Sequence, residues 1–228
     1  RTRSERPQVV SGMRIETFTG GPFAENGYLA VCEATGVTVA IDPGGGASDM
    51  VAFLMSEGLK LNAILLTHAH LDHVDGLPTV LEHASVPIYL HPHDRELYDA
   101  APAQGAAFGV YVPELPPPDR EWAHGDTFSF GKCSFAVSHT PGHAPGHVIL
   151  YADDQGVAFV GDVVFAGSIG RTDLPGGNYE HLFKSIREHV LTLPDETKLF
   201  TGHGPPTTVG HERVSNPFLV PHYGGEFA

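Results

Sequence analysis

The sequence predicts an α/β fold with layered sheets and outer helices. Three observations carry that expectation. Short runs rich in β-branched and aromatic residues, closed by Gly, Pro, Asp or Asn, recur along the chain. Stretches with helical spacing of apolar residues stand between some of them. Strand-like runs dominate the first third, and strands and helices alternate afterwards. A chain of 228 residues that is 41% hydrophobic can bury a substantial core, which excludes wholesale disorder.

The elements follow in order. Residues 1–12 are polar and are expected to be a flexible N-terminal segment. Strands are expected at 13–19, 28–33 and 37–41. Ser48 or Asp49 can then cap a helix with Val51, Leu54 and Met55 on its apolar face, and Gly58 can end it. Strands follow at 63–66 and 88–91, with a helix at 75–84 between them. Residues 100–119 are rich in Ala, Gly and Pro and carry Phe108 and Tyr111. They read either as an unordered connector or as a lid over a site. Strands resume at 127–130, 134–138, 147–151, 157–160 and 198–200. A helix is expected at 179–191, with Pro194 beyond its end. Residues 13–218 are expected to form one domain. Residues 219–228, where Tyr223 precedes Gly224 and Gly225, are expected to be a frayed tail.

Composition narrows the function. Lys and Arg total 13 against 27 Asp and Glu, a formal net charge of −14. That balance argues against nucleic acid and anionic membranes, which need clustered cations. No apolar run reaches the roughly 18 residues of a membrane span. Arg1 to Pro7 lack the apolar core of a signal peptide, so a cytoplasmic location is expected. Cys32 and Cys133 are expected as buried free thiols rather than a disulfide. The number that stands out is 15 histidines, since imidazole is the commonest metal ligand.

The strongest local signal is Thr67-His68-Ala69-His70-Leu71-Asp72-His73, behind the apolar run Ala63-Ile64-Leu65-Leu66. A buried strand thus delivers three imidazoles and a carboxylate to its C-terminal end, where α/β folds place their sites. His68 and His70 are two apart, so extended backbone points both to one side. Asp72 and His73 come where the chain turns toward a helix and can serve a second point in space. One segment can therefore feed two metals about 3.5–4 Å apart. Three more strand ends repeat the theme. One runs through Ser138-His139-Thr140-Pro141-Gly142 to His143, one ends in Gly161-Asp162, and one leads through Thr201-Gly202 to His203. Gly lies before each candidate ligand, where backbone must pass close to a bound group.

In order and spacing these four motifs resemble the metallo-β-lactamase superfamily, from about Met13 to Phe218. The resemblance implies an αββα sandwich with a metal site at one edge of its two sheets. It implies that His68, His70 and His143 bind one metal, that Asp72, His73 and His203 bind another, and that Asp162 bridges them. The ligand types suit two divalent ions, zinc first, with iron or manganese as alternatives. Such ions bring the pKa of water to about 7 and polarise a carbonyl. Asp72 is then the expected catalytic residue, orienting the nucleophile or carrying its proton.

Departures and matches select a branch. The β-lactamases proper commonly place Cys where Asp162 stands, and the flavin-linked iron branch usually has Glu at the position of His70. Asn26-Gly27-Tyr28-Leu29, Ile41-Asp42-Pro43-Gly44, Gly170-Arg171-Thr172-Asp173 and Gly202-His203-Gly204-Pro205 resemble short bacterial glyoxalase II-like hydrolases. So do Glu212-Arg213 and Asn216-Pro217-Phe218 near the end. The resemblance implies hydrolysis of a small glutathione-type thioester such as S-lactoylglutathione. Full-length glyoxalase II adds a helical C-terminal region with glutathione contacts, which this chain is expected to lack. The rival is the persulfide dioxygenase branch, which shares Gly-Arg-Thr-Asp but uses one iron and O₂. Leu174-Pro175-Gly176-Gly177 favours the hydrolases. A metal-free binding relative is disfavoured by seven intact ligand positions. Hydrolysis of another ester, lactone or amide stands further back.

Outside the ligands, Arg171 can clamp a substrate carboxylate or pair with Asp173 or Asp42, the second being slightly favoured. Asp173 can instead steady a ligand histidine. His147 is expected to pack behind His143, with substrate contact as the lesser alternative. His139 belongs to a strand end. His91 and His93 look like a metal pair with no adjoining motif, so surface or helix-start roles are favoured. Phe108 and Tyr111 line a lid or pack in the core. His83, His124, His181, His189, His211 and His222 have no chemical context. The sequence leaves a homo-oligomer open.

Overall fold

A computed structural model describes residues 12–221. Residues 222–228 of the expected tail and residues 1–11 of the expected N-terminal segment lie outside the described residues, while Leu219 and Val220 at the start of that tail are buried. The first sheet has six strands in the order β1 (Met13–Gly20), β2 (Glu25–Cys32), β3 (Val37–Ile41), β4 (Lys60–Leu65), β5 (Ile88–Leu90) and β6 (Arg120–Glu121). Helices α1 (Ala47–Glu57), α2 (Leu71–Val74), α3 (Leu77–His83), α4 (Arg95–Asp99) and α5 (Ala101–Phe108) lie along that half of the chain. The second half adds β7 (Thr127–Phe130), β8 (Cys133–His139), β9 (Val148–Ala152) and β10 (Val157–Gly161). A short pair, β11 (Val164–Phe165) and β12 (Ser168–Ile169), follows, then α6 (Tyr179–Ser185), β13 (Lys198–Thr201), β14 (Thr207–Thr208) and α7 (Val209–Ser215). The second six-stranded sheet runs β14-β13-β10-β9-β8-β7.

Side-chain alternation stacks these sheets. Successive strand residues face opposite ways, and here both faces are covered. Tyr28, Ala30, Val39, Ile41, Ala63 and Leu65 of the first sheet meet Phe135, Val137, Val148, Leu150, Phe159 and Phe200 of the second. The residues that alternate with them point outward. Leu29, Ala40 and Ile64 pack under Met50 and Leu54 of α1 and Leu77 and Val80 of α3. Ile149, Ala158 and Val160 pack under Leu182, Phe183, Ile186 and Val190. The result is the expected αββα layering, with one core between the sheets and one beneath each helical layer. Cys32 and Cys133 are buried thiols rather than a disulfide, as expected.

Several expected boundaries move. β2 starts three residues early, because Glu25-Asn26-Gly27 pair in register with Gly20, Thr19 and Phe18, and pairing overrides their turn-like composition. The helix expected at 75–84 starts earlier and breaks at Gly76, where a side chain would strike the carbonyls of Pro43 and Gly44. The helix at 179–191 becomes π-helical over 186–190, and Leu191 N–H reaches the Ile186 carbonyl at 2.9 Å. The unordered-connector reading of 100–119 fails in its first half. Pro102 in the first turn and the Ala run favour α5, which Gly109 ends at φ 72°. Among the described residues, no helix is long and apolar enough to cross a membrane.

Candidate metal centre

Four strand ends converge at one edge of the sandwich. β4 leads to His68 and His70 in extended backbone and then to Asp72 and His73 in the single turn of α2. β8 leads to the loop of His143, β10 to Asp162 and β13 to His203. Backbone hydrogen bonds tie the sheets together here. Val148 N–H reaches Thr67 O, and Asn26 N–H reaches Gly202 O, both at 2.8 Å. Gly202 is required by space, since a side chain there would run into the Asp162 carboxylate and the His73 ring.

The side chains gather into two three-ligand clusters. His68, His70 and His143 each offer a ligand atom within 4.8 Å of the others, and so do Asp72, His73 and His203. Asp162 lies between the clusters. Its Oδ2 is 3.3 Å from His143 Nε2 and 3.5 Å from His203 Nε2, and its Oδ1 is 3.4 Å from His73 Nε2. His203 Nε2 also lies 3.1 Å from Asp72 Oδ2. Nε2 of His68, His70 and His73 and Oδ1 of Asp162 are buried with no hydrogen-bond partner. Buried polar atoms are almost always partnered, so the orphans on His68, His73 and Asp162 fit metal ions, and in His70 it is Nδ1 that faces the cluster, 2.8 Å from His143 Nε2.

The outward nitrogens are held by other groups. His143 Nδ1 donates to Arg171 O at 2.8 Å, and His203 Nδ1 donates to Phe23 O at 3.2 Å. His73 Nδ1 donates to Asp42 Oδ2 at 3.1 Å. His68 Nδ1 lies 3.1 Å from Thr67 Oγ1, which donates to the same Asp42 Oδ2 at 2.6 Å. Asp42 thus orients one ligand of each cluster, and its other oxygen accepts Thr67 N–H at 2.7 Å. Such contacts leave each opposite nitrogen free for metal. Asp42 holds φ 46°, a left-handed conformation rare for a residue with a side chain. Glu25 is fully buried beside His73 with neither oxygen hydrogen-bonded, and burial pushes its pKa well up.

The electrostatics of the clusters differ. Burial, followed by the neighbouring His143, drives His70 down to about 3, and burial lowers His68 and His143 as well. Burial opposes the charge on His73 and His203 too. There the carboxylates of Asp162 and Asp72 outweigh it, raising His73 well above its usual value and His203 to about 10.

A cavity of about 600 Å³ opens onto both clusters. Phe23, Leu71, Leu97, Phe108, Leu174 and Pro175 give it mainly apolar walls, and Arg171 lies on them too. Phe108 comes from the end of α5 and meets Phe23 edge-on at 5.5 Å. That part of the 100–119 segment therefore does line the site, whereas Tyr111 is 88% exposed and off the walls.

The expected substrate contacts fare unevenly. Arg171 lies on the wall but pairs with Asp173 through two bonds of 2.7 and 2.8 Å. Asp173 is exposed and steadies no ligand histidine; the Arg171 carbonyl does that instead. His147 cannot be a substrate contact because it is fully buried. It stacks on His68 at 4.8 Å, and its Nε2 accepts the Asp162 N–H at 3.1 Å. Sequence reasoning missed Glu25 and the true partners of Asp42. The Ile41-Asp42-Pro43-Gly44 turn was the available signal for Asp42.

Two stacked mixed sheets between helices, with histidines and carboxylates gathered at the sheet ends, define a metal-binding α/β sandwich of the metallohydrolase type. The chain belongs to the metallo-beta-lactamase superfamily, which it matches over residues 20–203. It is 39% identical to the hydroxyacylglutathione hydrolase GloC of Haemophilus influenzae, over 91% of this chain and 98% of that protein. Among solved structures it resembles the B3 metallo-beta-lactamase BLEG-1, at 38% identity and a TM-score of 0.85, covering 91% of this chain and all of that one. It also resembles TTHA1623 in a di-iron-bound form, at 43% identity and a TM-score of 0.82, covering 90% of this chain and all of that one.

Proposed function

We propose that this metallohydrolase cleaves small acyl thioesters in the cytoplasm, with S-lactoylglutathione as the first candidate and two divalent metal ions, zinc foremost, as cofactors. The observation that carries the reading is the pair of three-ligand clusters sharing Asp162, with unpartnered atoms facing inward. His68, His70 and His143 would hold one ion, Asp72, His73 and His203 the other, and Asp162 both. Bound there, the ions would acidify water and polarise the substrate carbonyl.

The chain's own residues supply the rest. Asp72 stands on the cavity wall with Oδ2 against His203, placed to take the proton of the attacking water. The walls of Phe23, Leu71, Leu97 and Leu174 exclude water and pack the non-reacting part of the substrate. Arg171, also on the wall, can pair with a substrate carboxylate. The likeness to a named hydroxyacylglutathione hydrolase over nearly its whole length supports the choice of thioester.

The test pairs metal analysis with two assays on purified protein. Two metals per chain and turnover of S-lactoylglutathione are expected. One iron per chain with O₂ uptake that depends on glutathione persulfide would replace this reading with the dioxygenase.

A further inference from the structure

The segment that carries α4 and α5 turns one helical face toward the metal centre. Leu97, Ala100, Gln104 and Phe108 follow each other at intervals of three or four residues, the spacing of a single face, and all four line the cavity. The two helices run on with little break. Ala100 N–H reaches Glu96 O at 3.1 Å, and Gln104 N–H reaches Ala100 O at 2.9 Å. Ala101 and Gly105 of α5 are buried on another side, where a side chain on Gly105 would strike the Val110 carbonyl. The one amide on the cavity face is tied back, since Gln104 Nε2 donates to Leu97 O at 3.1 Å. Phe108, large and apolar, is nevertheless 63% exposed, and Phe23, which meets it edge-on, is half-buried. This end of the cavity therefore leaves apolar surface in water until something covers it.

We propose that the Phe23–Phe108 end of the cavity is a subsite for an apolar chain or ring of the thioester, and that Phe108 is a specificity-determining residue. The subsite presupposes the thioester-hydrolase reading and narrows it to substrates that carry such a group on the acyl or the thiol side. The chemical step is unchanged: water cleaves the C–S bond and gives a carboxylic acid and a thiol.

The distribution of charge agrees. Apart from the two ligand clusters, Arg171 is the one charged residue on these walls among the described residues, and it pairs with Asp173. Glutathione brings two carboxylates and an ammonium. Phe23, Leu97, Ala100 and Phe108 offer such groups no side-chain partner, and burying them unpaired is costly. An apolar group gains from the same surface, by roughly fourfold in kcat/KM for each methylene fully buried. The cavity of about 600 Å³ has room for several.

The experiment compares kcat/KM of the metal-loaded enzyme over two series. One lengthens the acyl group on glutathione from acetyl through butanoyl to hexanoyl. The other keeps the acetyl group and enlarges an uncharged thiol from ethanethiol through butanethiol to benzyl mercaptan. Ratios within a series do not depend on how much of the enzyme is folded and loaded, so a partly folded variant still reads out. From first to last member, kcat/KM should rise on the order of tenfold in at least one series. The series that rises identifies the side of the thioester that enters the subsite. Phe108→Ala, at an exposed side chain, should cut that rise about fivefold. Flat profiles in both series, in an enzyme that turns over their members, overturn the subsite and leave the hydrolase reading standing. A rise that Phe108→Ala leaves intact does the same. An enzyme that cleaves no member of either series overturns the hydrolase reading and the subsite with it.

Discussion

The two ligand clusters on either side of Asp162 are built from similar residues but set to different charge states. The His68–His70–His143 side is dominated by burial, and its imidazoles are kept neutral. The Asp72–His73–His203 side is buried too, yet its carboxylates prevail and hold His73 and His203 protonated in the metal-free protein. The first cluster is thus ready for a cation at neutral pH. The second already contains positive charge where the ion must go. The lesson is that ligand identity fixes affinity only in part; the charge the fold leaves on those ligands fixes how much must be displaced.

The largest effect should come from removing the residue the two sides share. Asp162→Ala should lose metal from both clusters and bring activity to background, as metal analysis and turnover will show. Its metal-free form should also be less stable in chemical denaturation, because His73 and His203 lose one of the carboxylates that face them. A variant that keeps metal on both sides would break the bridging role.

Next comes Asp42, which orients one histidine of each cluster. Asp42→Asn should lower metal affinity and activity by about 10–100-fold, measured by competition with a chelator. Thr67→Val cuts only the arm to His68, so its loss should be smaller and confined to the first cluster.

The charge difference itself can be tested by pH. His203 has a raised pKa, so the stability of its ion pairs is complete below the unfolded histidine value of about 6.5 and is lost as pH rises through about 10. In the same range the proton opposing the metal leaves. Zinc affinity of the second cluster should therefore climb with pH between about 6.5 and 10 and release protons in calorimetry across buffers. That of the first should be nearly flat, since His70 is neutral down to about 3. Equal pH slopes would erase the distinction.

The smallest effect should lie on the cavity wall. Arg171→Ala should raise KM several-fold for a carboxylate-bearing thioester with little change in kcat, and leave metal content intact. Its pair with Asp173 is fully exposed, so thermal stability should not move.

Much of this was legible from local pattern. His68 to His73 announced themselves because an apolar strand, tight spacing and a helical turn all lie within one short stretch. His143, Asp162 and His203 each follow a strand and a Gly, and the structure brings all seven residues to one edge. Asp42 was visible as a turn motif, but its partners lie 25 and 31 residues further along, at Thr67 and His73. For His147 the sequence position beside a ligand turn favoured packing behind the site, and burial against His68 and Asp162 N–H makes it a support.

The sequence by itself determined most of the strands and the residues fit to hold metal, because β-branched and aromatic runs and ligand spacing are local properties. Only the tertiary structure decided which of those residues meet. It joined Asp42 to both clusters, carried Phe108 to the cavity wall, and set His139 on His91 from 48 residues away. The physical reason is that such meetings depend on how two sheets stack and where their strand ends fall, and no short window of sequence holds that information.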